Sequence, residues 1–201
     1  MKGYYFITDD SLSRRGNFSD VKSALKAGVK IIQYRNKRAG TRQMYLEAKK
    51  LRPLCRGAFF IVNDRVDIAL AVGADGVHIG SEDMSYPIVR KLLGKGKIIG
   101  MTVRTLSQAK AAERLGADYI GVSPIFPTRT KKDAGKARGV KLIRGIKKQV
   151  KIPVIAVGGI SLCNAKDVIR AGADGLCAIS AVVTKANVSK EIKKFQELFK
   201  S

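Results

Sequence analysis

The triplet Gly-Ala-Asp recurs at residues 73–75, 116–118 and 172–174, and each copy joins a helix-like segment to a fresh apolar run: GADGVHIG, GADYIGVS and GADGLCAIS. AGVKIIQY, from Ala27, is a looser copy. Glycine suits a left-handed helix cap, and the aspartate can serve backbone amides near the start of a strand. A repeated joint implies a repeated unit. Eight β-branched runs follow one another: GYYFITD, KIIQYRN, AFFIVND, GVHIG, KIIGMTV, YIGVSPIF, PVIAVGG and GLCAIS. Between them lie stretches with helical spacing, such as RQMYLEAKKLRPL, RVDIALAV, LSQAKAAERLG and KEIKKFQELF. Strand followed by helix, repeated, predicts an α/β fold with a parallel sheet, and eight units in 201 residues predict a small (β/α)8 TIM barrel. One domain is expected over residues 1–201. An open doubly wound sheet is the alternative, but no GxGxxG follows any of the strands.

A barrel carries its chemistry at the C-terminal ends of its strands. Those ends are polar here: ITDD, QYRNK, VND, HIGSED, MTVRT, SPIFPTRTKKDAGKARG, VGGIS and AISAV. In the second strand, alternation puts Gln33, Arg35 and Lys37 on one face and Tyr34 and Asn36 on the other. Two fixed cations aimed at a common mouth suit a phosphate or pyrophosphate. The plainer reading, that Lys37 and Arg38 merely begin a solvated loop, explains Lys37 better than Gln33 and Arg35.

Asn63 and Asp64 end the third strand, and Asp83 follows the fourth. Either of the first two could cap the helix RVDIALAV, and Ser81 to Asp83 could do the same locally. Two carboxylates at neighbouring strand ends beside a diphosphate site also suit Mg2+, which takes one or two carboxylates plus phosphate oxygens. The longest connection, residues 127–139, is basic and has no large apolar residue. It reads as an active-site lid carrying Thr128, Thr130 and Lys131, or as a solvated basic loop. GGIS and AIS, at the last two strand ends, resemble the phosphate corner of many barrels. The lone His78 sits mid-strand and reads as a packed core histidine rather than a base. No Ser/His/Asp or Cys/His set appears.

Thirty-nine Lys and Arg against sixteen Asp and Glu give a formal charge of +23, which favours an anionic partner. The charge is spread through the helical segments and only 6% of residues are aromatic, so a specific nucleic-acid partner is not expected. Cys55, Cys163 and Cys177 are odd in number and far apart, which argues against disulfides or a zinc site. YYFI is too short for a signal sequence and no apolar run of about 18 residues occurs, so a cytoplasmic location without membrane attachment is expected. Nothing in the sequence fixes an oligomeric state.

From YFITD to ISAV the chain resembles the thiamine phosphate synthase family, through a Q-x-R-x-K strand end, VNDRVDIALAVGADGVHIG, GADYIGV, PIFPTRTKKDA and IPVIAVGGI. That resemblance implies a transferase of thiamine biosynthesis. It would join hydroxymethylpyrimidine diphosphate to thiazole phosphate and release pyrophosphate through a carbocation-like step, with small molecules as its partners. It implies Gln33 on the pyrimidine, and Arg35, Lys37, Asn63 and Lys131 on the diphosphate. Mg2+ would lie between Asp64 and Asp83. Thr102 stands where the family has serine and keeps a hydroxyl for the diphosphate. Thiazole phosphate would fall to Thr128, Thr130, Gly159, Ile179 and Ser180. Asn36, Arg104 and Ser123 depart from the family's usual glutamate, histidine and glycine. Arg104 also speaks against the similar thiazole tautomerases, which use a histidine near that position.

Overall fold

Each apolar run becomes a strand in the computed structural model, which describes residues 1–130 and 135–200. The strands are β1 (Gly3–Tyr4), β2 (Phe6–Ile7), β3 (Ile31–Tyr34), β4 (Phe59–Asn63), β5 (Gly76–Ile79), β6 (Ile98–Val103), β7 (Tyr119–Val122), β8 (Val154–Val157) and β9 (Gly175–Cys177). Helices α1 (Gly16–Lys26), α2 (Thr41–Leu51), α3 (Val66–Ala71), α4 (Tyr86–Leu93), α5 (Leu106–Leu115), α6 (Gly139–Lys147), α7 (Ala165–Arg170), α8 (Ser180–Val183) and α9 (Val188–Glu197) alternate with them. All pairings are parallel, in the order β1-β9-β8-β7-β6-β5-β4-β3-β2.

The first run, expected as one strand, is divided at Tyr5. Gly3–Tyr4 pairs with β9 and Phe6–Ile7 pairs with β3. The Tyr5 amide bridges the division by donating to the Leu176 carbonyl at 2.9 Å. One chain segment thus serves both edges of the sheet, and the result is a closed (β/α)8 barrel with eight strand positions.

Strand alternation sorts the apolar residues into two cores. Ile32, Tyr34, Phe60 and Val62 face outward, onto Ala48 and Leu51 of α2 and the rest of the helical layer. Ile31, Ile61, Ile155 and Cys177 face the axis, with Tyr5 and Tyr119 among them. Burial of each large apolar side chain stabilises the fold by about 1.5–3 kcal/mol.

The Gly-Ala-Asp joints hold the N-terminal end of the barrel. Gly73, Gly116 and Gly172 take φ of 63°, 91° and 95°, the left-handed conformation expected of them. Each aspartate then reaches the amide at the start of the preceding strand rather than its own. Asp75 accepts from Phe60 at 2.7 Å, Asp118 from Ile99 at 2.8 Å, and Asp174 from Val154 at 2.8 Å. A cation completes each joint: Arg52 at 2.8 Å, Arg90 at 2.9 Å and Lys147 at 2.7 Å respectively. Cys55 and Cys177 are buried, Cys163 is exposed, and none is in a disulfide. No helix among the described residues is long and apolar enough to cross a membrane.

Candidate active site

The residues singled out in the sequence converge on one cavity at the C-terminal mouth of the barrel. Gln33, Arg35, Lys37, Asn63, Asp64, Asp83, Thr102, Thr128, Thr130, Gly159, Ile179 and Ser180 all line it. Lys131 lies outside the described residues, as does the centre of the expected lid.

Ile31, Gln33 and Arg35 share the axial face of β3 and its extension, as alternation requires. Arg35 is braced from two directions. Its Nη1 donates to Asp9 Oδ2 at 3.0 Å, and the Asp9 side chain is only 3% exposed. The other Asp9 oxygen accepts from the Ser11 amide at 3.2 Å, the Ser11 hydroxyl at 2.6 Å and the Leu12 amide at 3.2 Å. The Thr8 hydroxyl accepts the Arg35 amide at 2.8 Å and donates to the Arg35 carbonyl at 3.0 Å. On the opposite face the Tyr34 hydroxyl and the Asn36 amide both donate to Glu47, at 2.7 and 3.1 Å. Asn36 Oδ1 also accepts the amides of Arg38 and Ala39, so this departure from the family pattern shapes the loop.

Asp64 has φ of 61°, uncommon for a residue with a side chain but most tolerated by Asn and Asp. A tight turn enforces it: the Arg65 amide donates to the Asn63 carbonyl at 2.7 Å, and the Asp64 amide to the His78 carbonyl at 2.8 Å. Helix α3 has Arg65 at its cap position and no side-chain cap bond, so neither Asn63 nor Asp64 is spent on capping. Asp64 instead pairs with Lys37. Asp83 does not cap the following helix, whose cap position is Ser85; its Oδ2 instead accepts the Gly80 amide at 2.7 Å and closes the loop after β5. It also faces Asp64. Burial pushes the Asp83 carboxyl above the usual range, and the Asp64 carboxylate adds to that, against opposing pulls from the Gly80 amide and Lys37. Among the described residues, no group of three or more His, Cys, Asp or Glu gathers as a metal cage.

Across the mouth the Thr130 amide donates to Thr128 Oγ1 at 3.2 Å, which turns that short segment over the cavity. Gly159, with φ of 65°, lets the backbone after β8 pass beneath it. A Cβ there would lie 2.5 Å from the Pro127 carbonyl oxygen.

The deepest part of the cavity holds residues that the sequence left unassigned. Gln33 Nε2 donates to Tyr5 Oη at 2.8 Å, and Tyr5 Oη lies 2.7 Å from Tyr119 Oη. Tyr119 Oη lies 2.9 Å from His78 Nδ1, and His78 Nε2 lies 2.8 Å from Thr102 Oγ1. His78 is buried as expected, yet within a polar chain at the cavity wall and not in an apolar core. Room for the two rings comes from glycines. A Cβ on Gly100 would sit 2.0 Å from Tyr119 Cζ, and one on Gly121 would sit 3.1 Å from His78 Cε1.

A family model described as thiamine monophosphate synthase matches residues 4–182. The thiamine-phosphate synthase of Methanosarcina barkeri is 50% identical over 198 residues, which cover 98% of this chain and 90% of that protein. That of Chloroflexus aurantiacus is 48% identical, with 96% and 91% covered. Among solved structures, thiamine phosphate pyrophosphorylase from Pyrococcus furiosus superposes with a TM-score of 0.90 at 42% identity, covering 99% of this chain and 95% of that one. The 3-hexulose-6-phosphate synthase of Salmonella typhimurium, at 19% identity and a TM-score of 0.74, shares the fold. With a family model matching residues 4–182 and relatives about half identical over nearly their whole length, the chain belongs to the thiamine monophosphate synthase family.

Proposed function

We propose that this chain catalyses the condensation of 4-amino-2-methyl-5-hydroxymethylpyrimidine diphosphate with 4-methyl-5-(2-phosphoethyl)thiazole, giving thiamine phosphate and pyrophosphate. The observation that carries this reading is the convergence of Gln33, Arg35, Lys37, Asp64, Asp83 and Thr102 on one side of the cavity with Thr128, Thr130, Gly159 and Ser180 on the other. Two polar edges, one of them cationic, with a floor between them that combines apolar side chains with hydrogen-bonding ones fit two phosphorylated heterocycles.

In this reading the bond from the pyrimidine methylene to the diphosphate oxygen breaks, its electrons leave with pyrophosphate, and the thiazole nitrogen closes on the methylene carbon. The protein's main work is to stabilise charge that grows on the leaving group. Arg35 is held rigid by Asp9 for that purpose, and Lys37 and Thr102 line the same cavity. Asn63 and Lys131 are assigned to the same diphosphate. Gln33 orients the pyrimidine, while Thr128, Thr130, Gly159, Ile179 and Ser180 hold the thiazole phosphate. The loop over residues 127–139 excludes water.

Asp64 and Asp83 suit Mg2+. They offer hard oxygen donors that face one another; burial raises the Asp83 carboxyl most and Asp64 adds to it, and a cation between the two would offset both effects. When bound, Mg2+ supplies Lewis-acid neutralisation of the diphosphate.

The test is thiamine phosphate formation from the two substrates with and without Mg2+, for the wild type and Asp64→Asn. Product from the wild type, with turnover reduced by about 10²-fold or more in Asp64→Asn, is expected. Wild-type protein that forms no product, under conditions where a control synthase does, overturns the function. Full activity and unchanged metal dependence in Asp64→Asn overturn the metal assignment.

A further inference from the structure

The polar chain at the barrel floor runs through side chains of five strand positions in an order unrelated to the sequence: Gln33, Tyr5, Tyr119, His78 and Thr102. Its geometry constrains the protons as well as the heavy atoms. An amide NH2 can only donate, so Tyr5 Oη receives a proton from Gln33, and the acceptor that its own buried proton meets among the described residues is Tyr119 Oη. Tyr119, having accepted, donates to His78 Nδ1, which therefore carries no proton. A neutral imidazole then has its proton on Nε2, where the partner is Thr102 Oγ1 at 2.8 Å. Thr102 has accepted in turn, and its hydroxyl proton is the first in the series without a partner among the described residues. Thr102 lines the cavity.

We infer that Tyr5, Tyr119 and His78 are positioning residues that transmit one donor direction from Gln33 to Thr102, so that the Thr102 hydroxyl is presented to the cavity as a donor to an anionic oxygen. The same direction leaves Gln33 Oε1 as the acceptor of its amide group, turned to a ligand's N–H. A substrate with an amino group at one end and a phosphate at the other meets an acceptor and a donor whose polarities are set together. The alternative direction, with the Gln33 amide reversed, would turn every bond in the chain and leave Thr102 an acceptor facing an anion. Burial favours keeping the phenols neutral along this path: it holds Tyr5 and Tyr119 well above the ordinary tyrosine range, so each remains a proton carrier in the chain. Closely packed hydrogen bonds of one direction polarise one another, which strengthens the last donor.

The proposal rests on the synthase reading for the identity of the anion, though not for the direction of the chain. His78 is the single histidine of the sequence, so a histidine-selective 15N label reports its ring without assignment. In ligand-free protein, Nδ1 is expected to resonate as an unprotonated, pyridine-type nitrogen and Nε2 as a protonated, pyrrole-type one. Tyr5→Phe removes one oxygen and cuts the chain two residues away from the ring, so it should turn that single tautomer into a mixture. A wild-type ring with its proton on Nδ1, or one that already exchanges between both forms, overturns the inference. So does Tyr5→Phe with an unchanged single tautomer, because the direction would then be set locally.

In turnover, Tyr5→Phe and Thr102→Val should each lower kcat by about tenfold, the scale of one directed hydrogen bond, with KM for the thiazole phosphate unchanged. The double variant should lose no more than either alone, since both remove the same interaction. Losses that multiply in the double variant overturn the coupling. Absence of product from the wild type would instead remove the proposed function, while the nitrogen spectrum would still decide the direction of the chain.

Discussion

Lys37 and Asp64, at the ends of neighbouring strands β3 and β4, form an ion pair across the rim of the mouth. The Lys37 side chain is 54% exposed and that of Asp64 19%, so the ammonium reaches inward from solvent to a carboxylate fixed by its turn. Lys37 thus stands where a divalent cation would draw on the same oxygen.

Competition follows from that overlap. Lys37→Ala should let ligand-free protein bind Mg2+ more tightly, by about two- to fivefold for a half-exposed pair, while KM for the pyrimidine diphosphate rises. Titration calorimetry with Mg2+ alone checks the first effect and steady-state kinetics the second. Weaker Mg2+ binding in the variant would place the two cations in separate sites.

The raised Asp83 carboxyl predicts a pH-dependent cost. A group that holds its proton more tightly folded than unfolded contributes stability at low pH that is lost as pH rises through its raised folded value. Asp83→Asn keeps an acceptor for the Gly80 amide and removes the charge. Its melting temperature should exceed that of the wild type by about 1–3 °C at neutral pH, and the gain should vanish in acid below the carboxylate range. Mg2+ should raise the wild-type midpoint and leave that of the variant nearly unchanged. A variant less stable than wild type at neutral pH contradicts this account.

Gly100 is a packing requirement. In Gly100→Ala the added Cβ would occupy space held by the Tyr119 ring, so the ring or the strand must move. A loss of about 1–3 kcal/mol in urea unfolding is expected. Gly96, with open space around it, is the control: Gly96→Ala should stay within about 0.5 kcal/mol. Equal stability of the two variants would mean that Tyr119 is loosely held.

Asp174 should matter to the frame and not to the chemistry. Asp174→Ala strands the Val154 amide and Lys147, and should cost about 1–3 kcal/mol. KM for both substrates should remain unchanged, because this joint lies at the opposite end of the barrel from the mouth. A changed KM with intact stability would reverse that assignment.

The features legible in the sequence were those carried by local periodicity. Alternation alone put Gln33, Arg35 and Lys37 on one face, and the recurrent Gly-Ala-Asp marked where strands begin. Which amide each aspartate serves was not legible, because Asp75 and Phe60 meet only once parallel strands lie side by side. Asp9 looked like one acid in a polar loop, and its brace on Arg35 depends on two loops meeting. Tyr5, Tyr119 and His78 sat in apolar runs that suited a core, and they are buried; their hydroxyls and ring nitrogens find one another only across the closed barrel. A faint signal did exist. In IIGMTV and YIGV, glycine falls on the axial side of a strand, where a barrel ordinarily places bulk; Gly100 answers to the Tyr119 ring of the adjacent strand and Gly121 to the His78 ring from two strands away.

The divided first strand gives Tyr5 two duties. Gly3–Tyr4 meets β9 and Phe6–Ile7 meets β3, so this segment closes the ring between the earliest and latest parts of the chain. Most other strand contacts join neighbours in sequence and can form progressively during folding, whereas the pairing with β9 must await the far end of the polypeptide. Tyr5 is also the hydroxyl that stands between the Gln33 amide and the Tyr119 hydroxyl in the polar chain. A partly folded barrel, with seven strands in place and the seam still open, would present most of the right side chains while lacking a connected floor. Completion of the fold and competence of the site are therefore a single event.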